Sequence, residues 1–330
     1  MTYQEIVSRI LQLQEEGLEI FNAGKSTLGK NILATHVGSF DGPQVLIQAG
    51  IHAREWITSL LTIELARNTY LTGEITEGGI YFIFMTNPDG IQISLDGLDS
   101  VPCSISKDYL IAGNGGNTDF SQMKSNFNLV DLNTNFDANW GGGAQNVTCP
   151  STQNFIGFYP ESEREVRSLE AFTLQTKPLI TISYHSKGNI IYYGFEGESD
   201  QDVDRDLSIG EALSETTGYP LVFTENSTGG YKDWCIQKLK IPAYTIEVGS
   251  ETIPHPLGEE TLPEIYARNI DVPSIALEKA IEYANSIDFG GQMVQNVKYE
   301  NNRIYGSGDP TSHQSKHTWR SANWRSHRQG

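Results

Sequence analysis

Apolar residues recur at Ile6, Ile10, Leu11, Leu13 and Leu18 among acidic neighbours, a spacing that predicts an amphipathic helix over residues 3–21. Further on, the pattern changes to short runs. β-rich segments at 31–37 (NILATHV), 44–48 (QVLIQ) and 80–86 (IYFIFMT) read as strands, and EWITSLLTIELARNTYL between the last two reads as a helix. NPDG at 87–90 predicts a turn, and the polar, Gly/Asn-rich stretch 111–128 predicts a loop. A helix is expected over 161–175, then two strands, PLITISYH (178–185) and NIIYYGF (189–195), joined by SKG. A helix over roughly 200–217, a last buried strand IPAYTIEVG (241–249) and one or two helices in LPEIYARNIDVPSIALEKAIEYANSI complete the pattern. Strands alternating with helices predict an α/β fold, and no internal repeat is visible.

Composition narrows this picture. At 330 residues and 38% hydrophobic, the chain can bury a large core. A net charge of −18 excludes nucleic acid and an anionic membrane surface as expected partners, because both demand clustered Lys and Arg. The first residues lack the basic, apolar, small-residue order of a secretory signal, and no run of 18 apolar residues occurs. The expectation is a cytoplasmic protein with no membrane insertion, or an exported one whose leader has been removed. Cys103, Cys149 and Cys235 form no zinc-type spacing and read as small buried thiols, with a Cys103–Cys149 bridge open to an exported chain. The last 25 residues, 306–330, carry one Asp against Lys316, Arg320, Arg325 and Arg328 and almost no aliphatic side chain. That composition predicts a basic, disordered tail following a domain over 1–305.

His52 and Glu55, three apart in AGIHAREWIT, are the first candidates for chemistry. Seven histidines and 41 acidic residues leave about one such pair expected by chance, so the spacing alone is weak. Position strengthens it: the pair follows a buried strand and opens a helix, the edge where α/β sheets build sites. A catalytic zinc needs three protein ligands and one open position. His36, His185 and His255 remain for the third ligand. His185 ends an apolar strand as His52 nearly does, while His36 lies within a strand and His255 in a PHP loop.

GIHAREWIT, NPDG, VDLNTNFDANWG, SYHSKG, GGYKDW and TIEVG, in this order over roughly residues 30–285, resemble the zinc carboxypeptidase family, which includes the pancreatic carboxypeptidases. The resemblance implies a single domain with a mixed eight-stranded sheet sandwiched between helices. It also implies one Zn²⁺ per chain, held by His52, Glu55 and His185 at the carboxyl edge of the sheet. Glu247 matches the general base that later acts as acid, a role suited to a carboxylate beside metal-activated water. Asp131 matches a carboxylate that orients the first histidine. Lys124 stands near the position of an arginine that stabilises the oxyanion, and Arg54 matches a substrate-side arginine.

Two departures bear on substrate. The family's digestive members carry an arginine directly after the asparagine equivalent to Asn133, and it grips the substrate's terminal carboxylate; here Thr134 stands there. Thr makes no bidentate carboxylate contact. The family's tyrosine a few residues before GG is also missing, with Glu225 near its place. Lys232 occupies the position lining the pocket for the side chain after the scissile bond, where a lysine would favour an anion. VDLNTNF, SYHSKGNIIYYG and GGYKDW further resemble the bacterial γ-D-glutamyl-meso-diaminopimelate peptidases, which implies peptidoglycan stem peptides as substrates. The alternatives are a metallocarboxypeptidase releasing acidic C-terminal residues and a catalytically silent peptide- or muropeptide-binding protein.

Overall fold

The computed structural model describes residues 1–289 except 74 and 225, together with 298–300 and 303–305. The chain divides into two compact units, Met1–Val294 and Gln295–Gly330. The expectations for the tail 306–330 and for Glu225 lie outside the described residues. In the second unit, strands β9 (Lys298–Glu300) and β10 (Arg303–Tyr305) pair antiparallel.

The first unit runs α1 (Tyr3–Glu15), β1 (Ile20–Lys25), β2 (Asn31–Gly38), β3 (Gln44–Gln48), α2 (Ile57–Thr72) and β4 (Gly79–Ile83). Next come α3 (Pro88–Asp96), α4 (Asp108–Gly113), α5 (Arg164–Thr176), β5 (Ile180–His185), β6 (Ile190–Tyr193) and α6 (Asp200–Thr217). It closes with β7 (Leu221–Phe223), α7 (Tyr231–Trp234), β8 (Ala243–Glu247), α8 (Leu262–Asn269) and α9 (Val272–Phe289). The eight strands form one mixed sheet in the order β1-β2-β4-β3-β5-β8-β6-β7. The central trio β3, β5 and β8 is parallel, so the three strands end at one edge. Every residue of β3 and β5 is buried, which explains why both read as continuous apolar runs. Val45 and Ile47 pack on one face with α1, α2 and α9, while Leu46 faces the other side with α5 and α7. Helices on both faces are what a parallel central sheet requires.

Four expectations are corrected. The first helix stops at Glu15, because Gly17 adopts φ +107° and sits against Tyr70, whose hydroxyl a Cβ would approach to 2.6 Å. The chain then re-enters the sheet as β1, an edge strand whose IFNAGK pattern lacks alternation. NPDG is the start of α3, with Asn87 as N-cap accepting from the Gly90 amide, as an Asn before a Pro at N1 favours. β5 and β6, though joined by SKG, are not neighbours; β8 lies between them and pairs with both. Among the cysteines, only Cys235 is a buried thiol; Cys103 and Cys149 are exposed and unbridged. The edge strand β7 carries three residues, too few for a period to register in the sequence. No described helix is long and apolar enough to cross a membrane.

Candidate metal centre

The end of β3 sets the first two site residues. Gly50 takes φ +64° and is packed against Ser59, Ile91 and Met85, with Cβ clearances of 2.8 to 3.2 Å, so the turn out of the sheet needs glycine. Asn87 locks this turn: its amide nitrogen donates to the Gly50 carbonyl, and its side chain donates to the carbonyls of Ile51 and Ser125. Backbone bonds from Ala53 to Lys124 and from Arg54 to Met123 tie the same segment to the long loop. β5 and β8 supply the opposite wall, where His185 and Glu247 lie directly across from each other in the parallel register.

His52, Glu55 and His185 converge there, all buried, with ligand-type atoms within 4.8 Å of one another. Glu55 Oε1 is 2.9 Å from His52 Nδ1, and Glu55 Oε2 is 3.2 Å from His185 Nδ1. The two Nδ1 atoms face each other at 3.2 Å. Two neutral imidazole lone pairs cannot share that space without a proton or a cation between them, and two imidazoles with one carboxylate are the donor set of a catalytic zinc. The residues therefore fit zinc.

His36, by contrast, bonds to Gln44 within the sheet. His52 Nε2 lies 3.1 Å from Asp131 Oδ1, leaving Nδ1 for the metal side. Asp131 is itself held by the amides of Asn133 and Asn154, and Lys124 Nζ stands 3.7 Å from its Oδ2. Burial works against its charge, but Lys124 and His52 prevail and lower its pKa. Burial likewise opposes ionisation of His52, yet Glu55 and Asp131 outweigh it and raise the pKa to about 9. Glu55 is held well below the usual carboxylate range despite burial, because His52 and His185 flank it.

Glu247 sits at the sheet edge with Oε2 buried and without a partner. Burial and the Glu55 charge push its pKa up, so it is disposed to hold a proton. Ser186 donates its amide to Glu55 Oε2 at 3.1 Å, a contact no spacing in the sequence would reveal.

The residues expected to meet substrate behave differently from one another. Asn133 Oδ1 accepts from the Tyr231 amide, and the Thr134 hydroxyl donates to the Asp131 carbonyl at 2.8 Å, so the two anchor a loop. Arg54 Nη1 reaches the Gln122 carbonyl. Lys232 is not a free cation: it is buried, its ammonium bonding Gly194 O, Thr224 Oγ1 and Asp233 Oδ1 at 2.6, 3.0 and 2.7 Å. Asp233, fully buried, neutralises it, so the pocket expected to favour an anion through Lys232 carries no net charge from this pair.

Residues 5–270 match the family model described as zinc carboxypeptidase. The chain belongs to the zinc carboxypeptidase family. The family's cofactor is zinc, and His52, Glu55 and His185 of this zinc carboxypeptidase-family protein offer a donor set for it. It is 31% identical over 251 residues to the gamma-D-glutamyl-L-diamino acid endopeptidase 1 of Lysinibacillus sphaericus, covering 72% of this chain and 62% of the relative. It is 27% identical over 225 residues to carboxypeptidase A1 of Sus scrofa, covering 62% and 50%. The chain thus spans about three-fifths of the first relative's length. Among solved structures, bovine thrombin-activatable fibrinolysis inhibitor superposes with a TM-score of 0.67 at 20% identity, over 87% of this chain and 98% of that one. The murein-tripeptide amidase MpaA of Escherichia coli O157 gives 0.51 at 21% identity, over 79% and 91%. These likenesses establish the shared fold.

Proposed function

We propose that this protein is a metallopeptidase that hydrolyses peptidoglycan stem peptides at the γ-D-glutamyl-meso-diaminopimelate bond. The observation that carries the reading is Thr134. Its hydroxyl is turned inward to Asp131, and an arginine that would grip a free α-carboxylate beside the cut bond is missing from that position. The similarity to an endopeptidase named for γ-D-glutamyl-L-diamino acid bonds supports the same reading. Release of acidic C-terminal residues loses its support where Lys232 is neutralised by Asp233.

In this reading His52, Glu55 and His185 would hold the zinc, which would supply a Lewis acid for the scissile carbonyl and for the attacking water. Glu247 takes a proton from that water and returns it to the leaving amine; its buried oxygen without a partner is free for both halves of the transfer. Asp131 fixes the ring of His52. Lys124 brings positive charge to the carbonyl oxygen as it becomes negative. Arg54, Asn133, Thr134 and Lys232 shape the substrate cleft.

Thr134→Arg tests the clamp argument. It is expected to raise kcat/KM about tenfold or more for a hippuryl-Glu peptide, whose free α-carboxylate adjoins the cut bond. An unchanged kcat/KM would remove Thr134 as the reason for the altered specificity.

A further inference from the structure

Lys232 is neutralised by Asp233, and Arg54 and Lys187 bring positive charge to the segments that carry and contact Glu55. Arg54 directly precedes Glu55 in the chain, and Lys187 directly follows Ser186, whose amide bonds Glu55. Gln122 ties His255 to the same wall: its Nε2 donates to the His255 carbonyl at 2.6 Å, and its own carbonyl accepts from Arg54 Nη1 at 3.3 Å. Two polar atoms of this wall, Arg54 Nε and His255 Nδ1, are buried without a partner. Buried polar atoms are ordinarily satisfied, so an unpartnered pair on one cleft wall points to a ligand that satisfies them. Lys187 donates to the Glu251 carbonyl and stands 3.6 Å from the Glu251 carboxylate, whose side chain is 72% exposed. An ion pair to so exposed a partner is weak and readily exchanged. The field at this wall is positive: after burial, Arg54, Lys187 and Lys124 push the His255 pKa down to about 4, against an opposing pull from Glu55.

We infer that Arg54, Lys187 and His255 form a carboxylate-binding subsite on the acyl side of the scissile bond, receiving the free α-carboxylate of a γ-linked glutamyl residue. The assignment rests on the function proposed above, in which Asn133, Thr134 and Lys232 line the leaving-group side. A γ-linked glutamyl residue gives its side-chain carbonyl to the cut bond and keeps its α-carboxylate free, only a short side chain away. In an α-linked peptide the corresponding position is an amide. A guanidinium and an ammonium distinguish these two by charge, and the neutral imidazole adds a hydrogen bond.

The test compares L-Ala-γ-D-Glu-meso-diaminopimelate with its α-amide, the D-isoglutaminyl analogue, using the zinc-loaded full chain. The free carboxylate should be preferred about tenfold or more in kcat/KM, the scale of one charge-assisted hydrogen bond. Lys187→Gln should shrink the preference severalfold and Lys187→Arg should restore it. Lys238→Gln, which removes an exposed partner of Asp137, should leave the preference as it is. Calorimetric binding of L-Ala-D-Glu against L-Ala-D-isoglutamine should show the same order without turnover. Equal use of both peptides, or a preference untouched by Lys187→Gln, overturns the subsite and leaves the proposed bond standing. Cleavage of neither peptide overturns the proposed bond and the subsite with it.

Discussion

A single buried carboxylate bears most of the chemistry. Glu247 is paired across the sheet with His185 and has one oxygen without a partner, so little else in the structure accounts for its presence. Glu247→Gln keeps the shape and removes the proton acceptor. Turnover should fall by about 10²–10⁴, while elemental analysis still finds one zinc per chain. Retained turnover would remove Glu247 as the base; lost zinc would make it a ligand rather than a base. At this scale the sequence was informative where chemistry requires a residue type. His52, Glu55, His185, Asp131 and Lys124 do lie together. It was misleading where a charge depends on its neighbours: Lys232 reads as a free cation until Asp233 is seen 2.7 Å away. Asn87 and Ser186 were missed as site-builders, because a side chain capping a turn and a backbone amide leave no spacing to find.

At the scale of elements, the site depends on β3, β5 and β8 ending together and on the turn that leaves β3. Gly50 makes that turn possible. Gly50→Ala adds a Cβ within 2.9 Å of Ser59 and Ile91 and forces a non-glycine residue into the left-handed region. We expect a loss of about 2–4 kcal/mol in denaturant unfolding, together with weaker zinc binding as His52 shifts. A variant as stable as the parent would contradict this account of the turn. The buried parallel strands and the longer helices were legible, because continuous apolar runs and helical periods extend over enough residues. β1 and β7 were not, since a half-buried edge strand and a three-residue strand carry no clear period. Strand order was also illegible: nothing local to SKG says that β8 will insert between the strands it joins.

Across the whole molecule, a chain of net charge −18 buries several carboxylates that resist ionisation. Burial raises Glu165 and Asp206 to about 7, and burial with Glu161 and Asp137 nearby raises Glu170 to about 8. A carboxyl with a raised folded pKa stays protonated in the native state while the unfolded chain has already ionised, so stability falls as pH rises from about 4.5 through the folded value. His52, raised to about 9, contributes in the same direction above pH 6.5 in protein stripped of metal. The depressed His255 acts oppositely, but only between about 4 and 6.5. Between pH 6.5 and 8.5 the metal-stripped protein should therefore lose on the order of 2–4 kcal/mol, with Glu170 discounted for partial solvent screening. A Tm that is flat or rising over that range would contradict the burial account.

The central claim, that zinc and Glu247 direct water to a γ-D-glutamyl bond, is tested most directly by hydrolysing L-Ala-γ-D-Glu-meso-diaminopimelate in ¹⁸O-water with the zinc-loaded protein, alongside a hippuryl-Glu peptide. Mass spectrometry should find free meso-diaminopimelate and L-Ala-D-Glu carrying the label in its γ-carboxylate, with the hippuryl peptide cut more slowly. Cleavage of the hippuryl peptide alone, or label in any other carboxylate, would contradict it.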